Sequence, residues 1–261
     1  MEIENRCLES YYRRCRRRLL ALLYSAQSGH PGGALSSLHY LTYLAYNELI
    51  DLEKDFPFND RPFILSPGHY CPALYSVMVE SGILKESDLA GYRTVECKLH
   101  GHPIRSQSSK VYYTSGSLGQ GLSLAIGIAK YKKDSKVHVL MSDGEINEGQ
   151  TWEAMLYMVS ESISNVILTF DMNGFQLDGA TCDILRIKDF RGTLEKVGFN
   201  VYTCNGNSHR DIESSYSKMM SNKGISVLLL NTIIGYGVAE IQGQAIAHGC
   251  KISSSMVCAD E

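Results

Sequence analysis

Two short polar motifs, each directly after an apolar run, are the residues of this sequence best suited to chemistry. One is Ser142-Asp143-Gly144-Glu145 and the other is Asp171-Met172-Asn173-Gly174. If the runs are neighbouring parallel strands, the Asp143 carboxylate and the Asn173 carboxamide meet where open α/β sheets bind ligands. Either residue alone would more simply be a turn former, whereas the pair, each beside a glycine, favours a metal site. Two hard oxygen ligands suit Mg²⁺ or Ca²⁺.

Three histidines lie in loop segments of similar composition. They occur in Gly29-His30-Pro31, Gly68-His69-Tyr70 and Gly101-His102-Pro103. A single loop histidine is typically just solvated. Three in matching contexts favour a group that handles protons, since imidazole titrates near neutral pH.

A glycine-rich stretch, Gly116-Ser117-Leu118-Gly119-Gln120-Gly121, precedes an apolar helical pattern. It is neither a G-x-G-x-x-G dinucleotide motif nor a Walker loop, which requires Gly-Lys-Ser/Thr. Two interpretations stay open: a tight turn before the helix, or a backbone that lets a planar ligand approach closely.

Alternating strand and helix patterns predict the elements that position these motifs. Strands are expected at 62–65, 137–141, 165–170, 199–203 and 226–231, and a long loop at 91–115. Helices are expected at about 6–27, 35–49, 72–80, 116–133, 150–161, 190–197 and 209–220. Such alternation is typical of an α/β fold, a doubly wound parallel sheet with helices on both faces. We expect one domain over 1–261, with an irregular tail from about 250.

Composition narrows the class of protein. The chain has 261 residues, 44% of them apolar, and a net charge of −3, which gives no global attraction to nucleic acid or membranes. No apolar run approaches the length of a transmembrane helix, and the N-terminus is too polar for a signal peptide. The eight cysteines include no C-x-x-C pair. We therefore expect reduced thiols and a cytoplasmic location.

One basic run stands out, formed by Arg13, Arg14, Arg16, Arg17 and Arg18. A solvated helix face is the simplest interpretation. A nucleic-acid patch lacks accompanying aromatic residues, and an interface with a partner subunit is a third option.

With these motifs assembled, the chain resembles the N-terminal, diphosphate-binding half of transketolases, the thiamine diphosphate enzymes. The resemblance covers about residues 10–250. It rests on SGHPGG at 28–33, SPGH at 66–69, GHP at 101–103, GSLGQG at 116–121, SDGEINEGQTWE at 142–153 and DMNGFQLDG at 171–179. Ser142 and Ser117 depart from the glycine and the proline that the family often has there.

The resemblance implies a role for each motif. Asp143, the Asn173 side chain and the backbone carbonyl of Phe175 would bind a divalent cation, Mg²⁺ or Ca²⁺. Gly144 would contact the diphosphate through its backbone. The other implied contacts to thiamine diphosphate come from Gly116, Ser117, Leu118 and Glu145.

The resemblance also assigns the histidines. His69 and His248 would lie on the diphosphate side of the cofactor. His30 and His102 would contact substrate hydroxyls and transfer protons. All four would belong to the catalytic site.

The implied function is transfer of a two-carbon ketol unit from a ketose, free or phosphorylated, to an aldose. The family's pyrimidine-binding domain would reside on a separate C-terminal subunit, with two copies of each chain in the assembly. Two alternatives remain. The chain could serve another thiamine diphosphate enzyme, such as a 1-deoxyxylulose-5-phosphate synthase or a specialised ketol transferase, or it could be a non-catalytic cofactor-binding subunit. The residues do not identify the sugars.

Overall fold

A five-stranded parallel sheet forms the centre of the computed structural model, which describes residues 7–54 and 59–258. The strand order is β1-β2-β3-β7-β6. The strands are β1 (Phe63–Leu65), β2 (Val137–Ser142), β3 (Val166–Met172), β6 (Asn200–Asn205) and β7 (Ser226–Asn231). A separate antiparallel hairpin, β4 (Phe175–Gln176) and β5 (Gly179–Ala180), follows β3. The predicted α/β class with a parallel sheet is confirmed.

Helices connect the strands. They are α1 (Leu8–Ala26), α2 (Pro31–Tyr46), α3 (Cys71–Glu80), α4 (Gln120–Tyr131), α5 (Gly149–Ser160), α6 (Thr181–Ile184), α7 (Phe190–Val197), α8 (His209–Met220) and α9 (Ser254–Cys258). Short 3-10 turns occur at Gly68–Tyr70, Glu86–Leu89, Asp143–Asn147 and Ala245–His248.

The helices cover both faces of the sheet, as alternating side chains along the strands show. Leu140 and Ile167 pack into a core shared with α1, α2, α3 and α8. Val139, Leu168 and Phe170 point the other way, into a core shared with α4, α5 and α7. Strands β1, β2, β3 and β7 are buried on both faces and are therefore mostly apolar on both, as is typical of parallel sheets, whereas the edge strand β6 is largely exposed.

Several predicted boundaries were wrong. Helix α4 begins at Gln120 rather than Gly116, and α2 ends at Tyr46 rather than Leu49. The break between the first two helices was expected to extend through Gly33, but α2 already begins at Pro31. Proline is favoured in a first helical turn because its missing N–H would be unpaired there anyway. The tail was expected to be irregular, yet it contains α9, whose Met256 and Val257 pack against the first core. The predicted start of the first helix, at Arg6, lies outside the described residues.

The basic run of α1 is largely engaged in contacts within the chain. Arg14 pairs with Glu80 at 2.6 Å, and Arg18 pairs with Glu80 at 3.2 Å and with Glu86 at 2.6 Å. Arg16 donates a hydrogen bond to the Gly237 carbonyl. The run therefore joins α1 to α3 and to the segment after β7. The expected solvated face fits Arg13, whose side chain is 73% exposed, but not Arg18, which is 15% exposed.

All eight cysteines fall within the described residues, and none forms a disulfide with another there. Across residues 7–54 and 59–258, we find no helix with the length and apolar character needed to cross a bilayer.

Candidate functional site

The two polar motifs lie side by side at the carboxyl edge of the sheet. Strands β2 and β3 are hydrogen-bonded neighbours, and their register places Ser142 opposite Asp171. Asp143 and Asn173 each follow directly, one at the end of β2 and the other at the end of β3. This is the edge at which open parallel sheets bind ligands.

Asp143 is a buried carboxylate in which one oxygen accepts hydrogen bonds and the other has no partner among the described residues. Its Oδ2 accepts hydrogen bonds from the Gly174 N–H at 2.7 Å and the Thr181 hydroxyl at 3.2 Å. Its Oδ1 is buried and has no hydrogen-bond partner in the described part of the chain. Burial, followed by the negative charge of Asp171, raises the pKa of Asp143 to about 7. Such an oxygen is costly to bury unless a ligand completes its bonding.

Asn173 is held in one orientation. Its Nδ2 donates to the Tyr70 hydroxyl and to Asp171 Oδ2, both at 2.9 Å. Its Oδ1 accepts from the Phe175 N–H at 3.0 Å, which closes a turn into the β4–β5 hairpin. The same turn brings Phe175, the third predicted cation ligand, next to Asn173.

Asp171 is a functional-site residue to which sequence reasoning gave no role. It is fully buried and accepts hydrogen bonds from Ser36, Tyr70, Asn173 and Thr232. Burial nevertheless raises the pKa of Asp171. Its position in the same motif as Asn173 was the available signal. Three of its four donors, Ser36, Tyr70 and Thr232, come from distant segments, so the hydrogen-bond network could not be predicted.

The four predicted histidines lie in one cluster, although they come from four separate segments. The ring centroids of His30 and His69 are 5.1 Å apart, and His248 lies 5.5 Å from each. His102 is 6.4 Å from His30 and 6.5 Å from His69. His69 immediately precedes Tyr70, so the cluster adjoins the Asp171–Asn173 network.

The histidines are neutral imidazoles near pH 7. Burial lowers the pKa of His30, His69 and His102, and it lowers the pKa of His248 to about 4. The neighbouring imidazoles add to this effect at His30, His69 and His248. His30 Nδ1 lies 3.0 Å from the His248 carbonyl oxygen. A carbonyl can only accept, so Nδ1 carries the proton and Nε2 of the neutral ring is left as a proton acceptor.

The glycine-rich stretch packs against the histidine cluster. A Cβ on Gly116, whose φ is +136°, would lie 3.0 Å from the His102 ring. A Cβ on Gly68 would lie 2.8 Å from the Gly116 nitrogen. Close packing within the chain therefore requires these glycines. Support of a bound ring by Gly116 and Leu118 remains a prediction, and Ser117 is exposed beside them.

Glu145 braces the loops that carry the site. Its two oxygens accept hydrogen bonds from the Ser66 hydroxyl and from the N–H groups of Gly119 and Ser142, the latter two at 2.8 Å. Burial raises the pKa of Glu145 to about 6. The resemblance implies a cofactor contact here, but both oxygens are occupied within the chain, which indicates a bracing role. Ser142 also forms a capping box with Glu145, a physical reason for serine in place of glycine.

Gly144 differs from the other glycines of the site. A Cβ there would meet only Gln176, at an ordinary contact distance of 3.5 Å. Packing within the chain therefore does not explain this glycine. A close approach of a ligand to its backbone, as the resemblance implies, remains a prediction.

The arrangement combines two chemical capacities. A bare carboxylate oxygen and a carboxamide oxygen lie at one strand edge, where they could hold a hard cation together with an anionic ligand. Neutral imidazoles lie beside them, where they could accept and return protons near neutral pH.

Comparisons with known proteins identify the family. The family model described as transketolase, thiamine diphosphate binding domain, matches residues 14–259. An apulose-4-phosphate transketolase subunit from Actinobacillus succinogenes is 34% identical over 247 residues, covering 92% of this chain and 90% of that protein. The subunit of the same name from Phocaeicola vulgatus is 31% identical and is covered over 89% of its length.

Single-chain relatives are matched over a smaller part of their length. Transketolase from Mus musculus is 31% identical over 89% of this chain but only 38% of its own length. The solved transketolase from Leishmania mexicana superposes with a TM-score of 0.87 at 24% identity, over 97% of this chain and 40% of that one. The fold, the site and the family match lead to one conclusion: the chain belongs to the transketolase family and comprises its thiamine diphosphate-binding domain.

Proposed function

We propose that this chain is the N-terminal subunit of a two-chain transketolase, which transfers a two-carbon ketol unit from a ketose donor to an aldose acceptor. The partner would be a separate C-terminal chain carrying the pyrimidine-binding domain, with two copies of each subunit in the assembly. Support comes from the two apulose-4-phosphate transketolase subunits, which this chain covers over about nine-tenths of their length.

The observation that carries the proposal is the bare Oδ1 of Asp143 beside the oriented amide of Asn173. These groups fit a divalent cation, Mg²⁺ or Ca²⁺, with the Phe175 carbonyl as a further ligand. Within the described ranges, no three His, Cys, Asp or Glu side chains form a metal cluster. Mg²⁺ takes few protein ligands and relies on phosphate oxygens and water, so one carboxylate and two neutral oxygens are a sufficient protein contribution. We infer that the cation ties the cofactor diphosphate to this edge.

Thiamine diphosphate, when bound, would supply the stabilisation of the carbanion formed next to the former carbonyl carbon. The chain's own histidines would handle the protons. Burial keeps them neutral, and the hydrogen bond to the His248 carbonyl leaves Nε2 of His30 free to accept a proton. General acid–base help of this kind is typically worth about 10²–10⁴-fold in rate.

A specialised sugar substrate is the second candidate. Both of these relatives carry the name apulose-4-phosphate transketolase, which favours apulose 4-phosphate as a substrate over other sugar phosphates. The two candidates share the same site and the same chemistry, so they differ only in donor preference.

The test is reconstitution of the purified chain with a C-terminal transketolase subunit from the same organism. We expect no ketol transfer by either chain alone and transfer by the mixture, dependent on thiamine diphosphate and Mg²⁺. A panel of donors that includes apulose 4-phosphate and xylulose 5-phosphate distinguishes the two candidates. Substantial turnover by the isolated chain, or none by the mixture with any donor, would contradict the proposal.

A further inference from the structure

The position of Asn173 at the end of β3 does not by itself fix the orientation of its side-chain amide. A carboxamide can present either its oxygen or its NH₂ group to a given side, and only the oxygen binds a cation. Something in the chain must therefore fix which end of the amide faces the cation that we propose at Asp143.

The Tyr70 hydroxyl and Asp171 hold the NH₂ end of the amide, while the Phe175 N–H donates to its Oδ1 at 3.0 Å. Tyr70 has one hydroxyl proton, which it donates to Asp171 Oδ2 at 3.0 Å. Its oxygen is then left as an acceptor, and Asn173 Nδ2 donates to it at 2.9 Å. Asn173 Nδ2 also donates to Asp171 Oδ2 at 2.9 Å. A flipped amide would place its oxygen against a carboxylate oxygen and a hydroxyl whose proton is already committed.

We propose that Tyr70 is a positioning residue that holds the Asn173 carboxamide with its oxygen directed to the cation. The inference rests on the proposed function, because it requires a cation at this strand edge. The segment after β1 would then have two roles, because His69 belongs to the histidine cluster and its neighbour Tyr70 orients the amide.

The Tyr70 ring is held independently of its hydroxyl. It is buried, and it lies so close to Gly33 in α2 that a Cβ there would overlap it, at 1.7 Å from Cε1. Removing the hydroxyl alone should therefore leave the ring in place. Tyr70→Phe consequently tests the hydrogen bonds without disturbing the packing.

Tyr40→Phe is the matched control. Tyr40 is also a buried tyrosine, and its hydroxyl is hydrogen-bonded to Thr169 of β3, at 2.8 Å. That contact is on the same strand as Asp171 but does not touch Asn173 or Asp143. Both variants lose one buried hydroxyl, so the comparison separates a general loss of stability from a loss of orientation.

The experiment measures Mn²⁺ binding to the full chain with thiamine diphosphate present, from the electron paramagnetic resonance signal of free Mn²⁺. We expect Tyr70→Phe to weaken Mn²⁺ binding about tenfold or more, as is typical for loss of a group that orients a metal ligand. The Mn²⁺ affinity of Tyr40→Phe should stay within about twofold of the wild type, because Tyr40 shares no hydrogen-bond partner with Asn173 or Asp143 and such sites usually act independently.

A second readout follows the amide itself. In the cation-free, ¹⁵N-labelled chain, the Asn173 side-chain NH₂ protons should exchange with water faster in Tyr70→Phe than in Tyr40→Phe. Unchanged Mn²⁺ affinity in a folded Tyr70→Phe variant, or an equal loss in Tyr40→Phe, would overturn the positioning role. A wild-type chain that binds no Mn²⁺ with the cofactor would instead contradict the proposed function.

Discussion

Replacement of Gly33 by alanine should disrupt the site from inside helix α2. A Cβ at Gly33 would lie 1.7 Å from Tyr70 Cε1, and the ring has to retreat to at least 3.0 Å. A shift of that size separates the Tyr70 hydroxyl from Asp171 and Asn173, which it contacts at 3.0 and 2.9 Å. The substitution therefore combines a steric clash with the loss of hydrogen bonds at the site.

The magnitude follows from three contributions. Overpacking costs about 1–3 kcal/mol, and loss of the hydrogen bond to the Asp171 carboxylate costs about 1.5–3 kcal/mol. Alanine returns about 0.5–1 kcal/mol because it is a better helix former than glycine. The free energy of unfolding should therefore fall by about 2–5 kcal/mol.

Gly127→Ala is the control for this prediction. Gly127 lies inside α4, and a Cβ there meets no atom within 4 Å. The Gly127→Ala variant gains the same helix propensity without the clash, so its free energy of unfolding should rise by about 0.5–1 kcal/mol. Urea unfolding followed by circular dichroism measures both variants, and Gly33→Ala should also lose cofactor affinity. Equal stability of the two variants would refute the packing argument.

Two further predictions concern pH and the cation. Burial lowers the pKa of His138 to about 3, below the value of about 6.5 in an unfolded chain, so its contribution to stability is present above pH 6.5 and is lost as the pH falls toward 3. The wild type should therefore lose about 2 kcal/mol more stability between pH 7 and pH 5 than His138→Gln. Tyr216→Phe, which deletes the hydrogen-bond partner of His138, should keep the pH dependence of the wild type. Urea unfolding at several pH values measures this, and an equal fall in stability for His138→Gln and the wild type would count against it. Thr181→Val removes the hydroxyl that bonds Asp143 Oδ2 and should weaken Mn²⁺ binding roughly tenfold, and Thr181→Ser should restore it. Titration of Mn²⁺ checks this, and equal affinity of the valine and serine variants would contradict it.

Local signals predicted much of the fold. Helices α7 and α8 begin and end where the pattern placed them. Both have side-chain caps that can be recognised in the sequence, Asp189 bonding the Gly192 N–H and Ser208 bonding the Asp211 N–H. The apolar run of β7 was likewise bounded by polar residues. Such elements are specified by residues close in the chain, which is why the pattern sufficed.

The start of α2 shows where local reasoning fails. Pro31, Gly32 and Gly33 look like a break in a helix because glycine and proline are poor helix formers. In the fold, Gly33 is required because the Tyr70 ring lies against its Cα, and Gly32 faces Ile234 in the same way. Tertiary contacts therefore override the local preference, and these contacts cannot be read from the sequence.

Members of the candidate site could be named one by one from the sequence, but Asp171 and the connections between them could not. The resemblance identified Asp143, Asn173 and the histidines, and the structure brings them to one edge of the sheet. The network around Asp171 joins α2, the turn after β1 and the end of β7. Sequence spacing carries no information on such convergence of distant segments.

Calorimetric titration of thiamine diphosphate into the chain, with Mg²⁺ or with EDTA, tests the cation site at Asp143 most directly. Wild type should bind the cofactor with Mg²⁺ and lose that binding in EDTA. Asp143→Ala should lose it in both buffers and yet stay folded at pH 8. Because burial raises the pKa of Asp143 to about 7, ionising this carboxylate costs the cation-free fold stability from about pH 4 upward, and that cost is fully present at pH 8. Binding that is equally tight in EDTA, or a folded Asp143→Ala chain with wild-type affinity, would show that the diphosphate is held elsewhere.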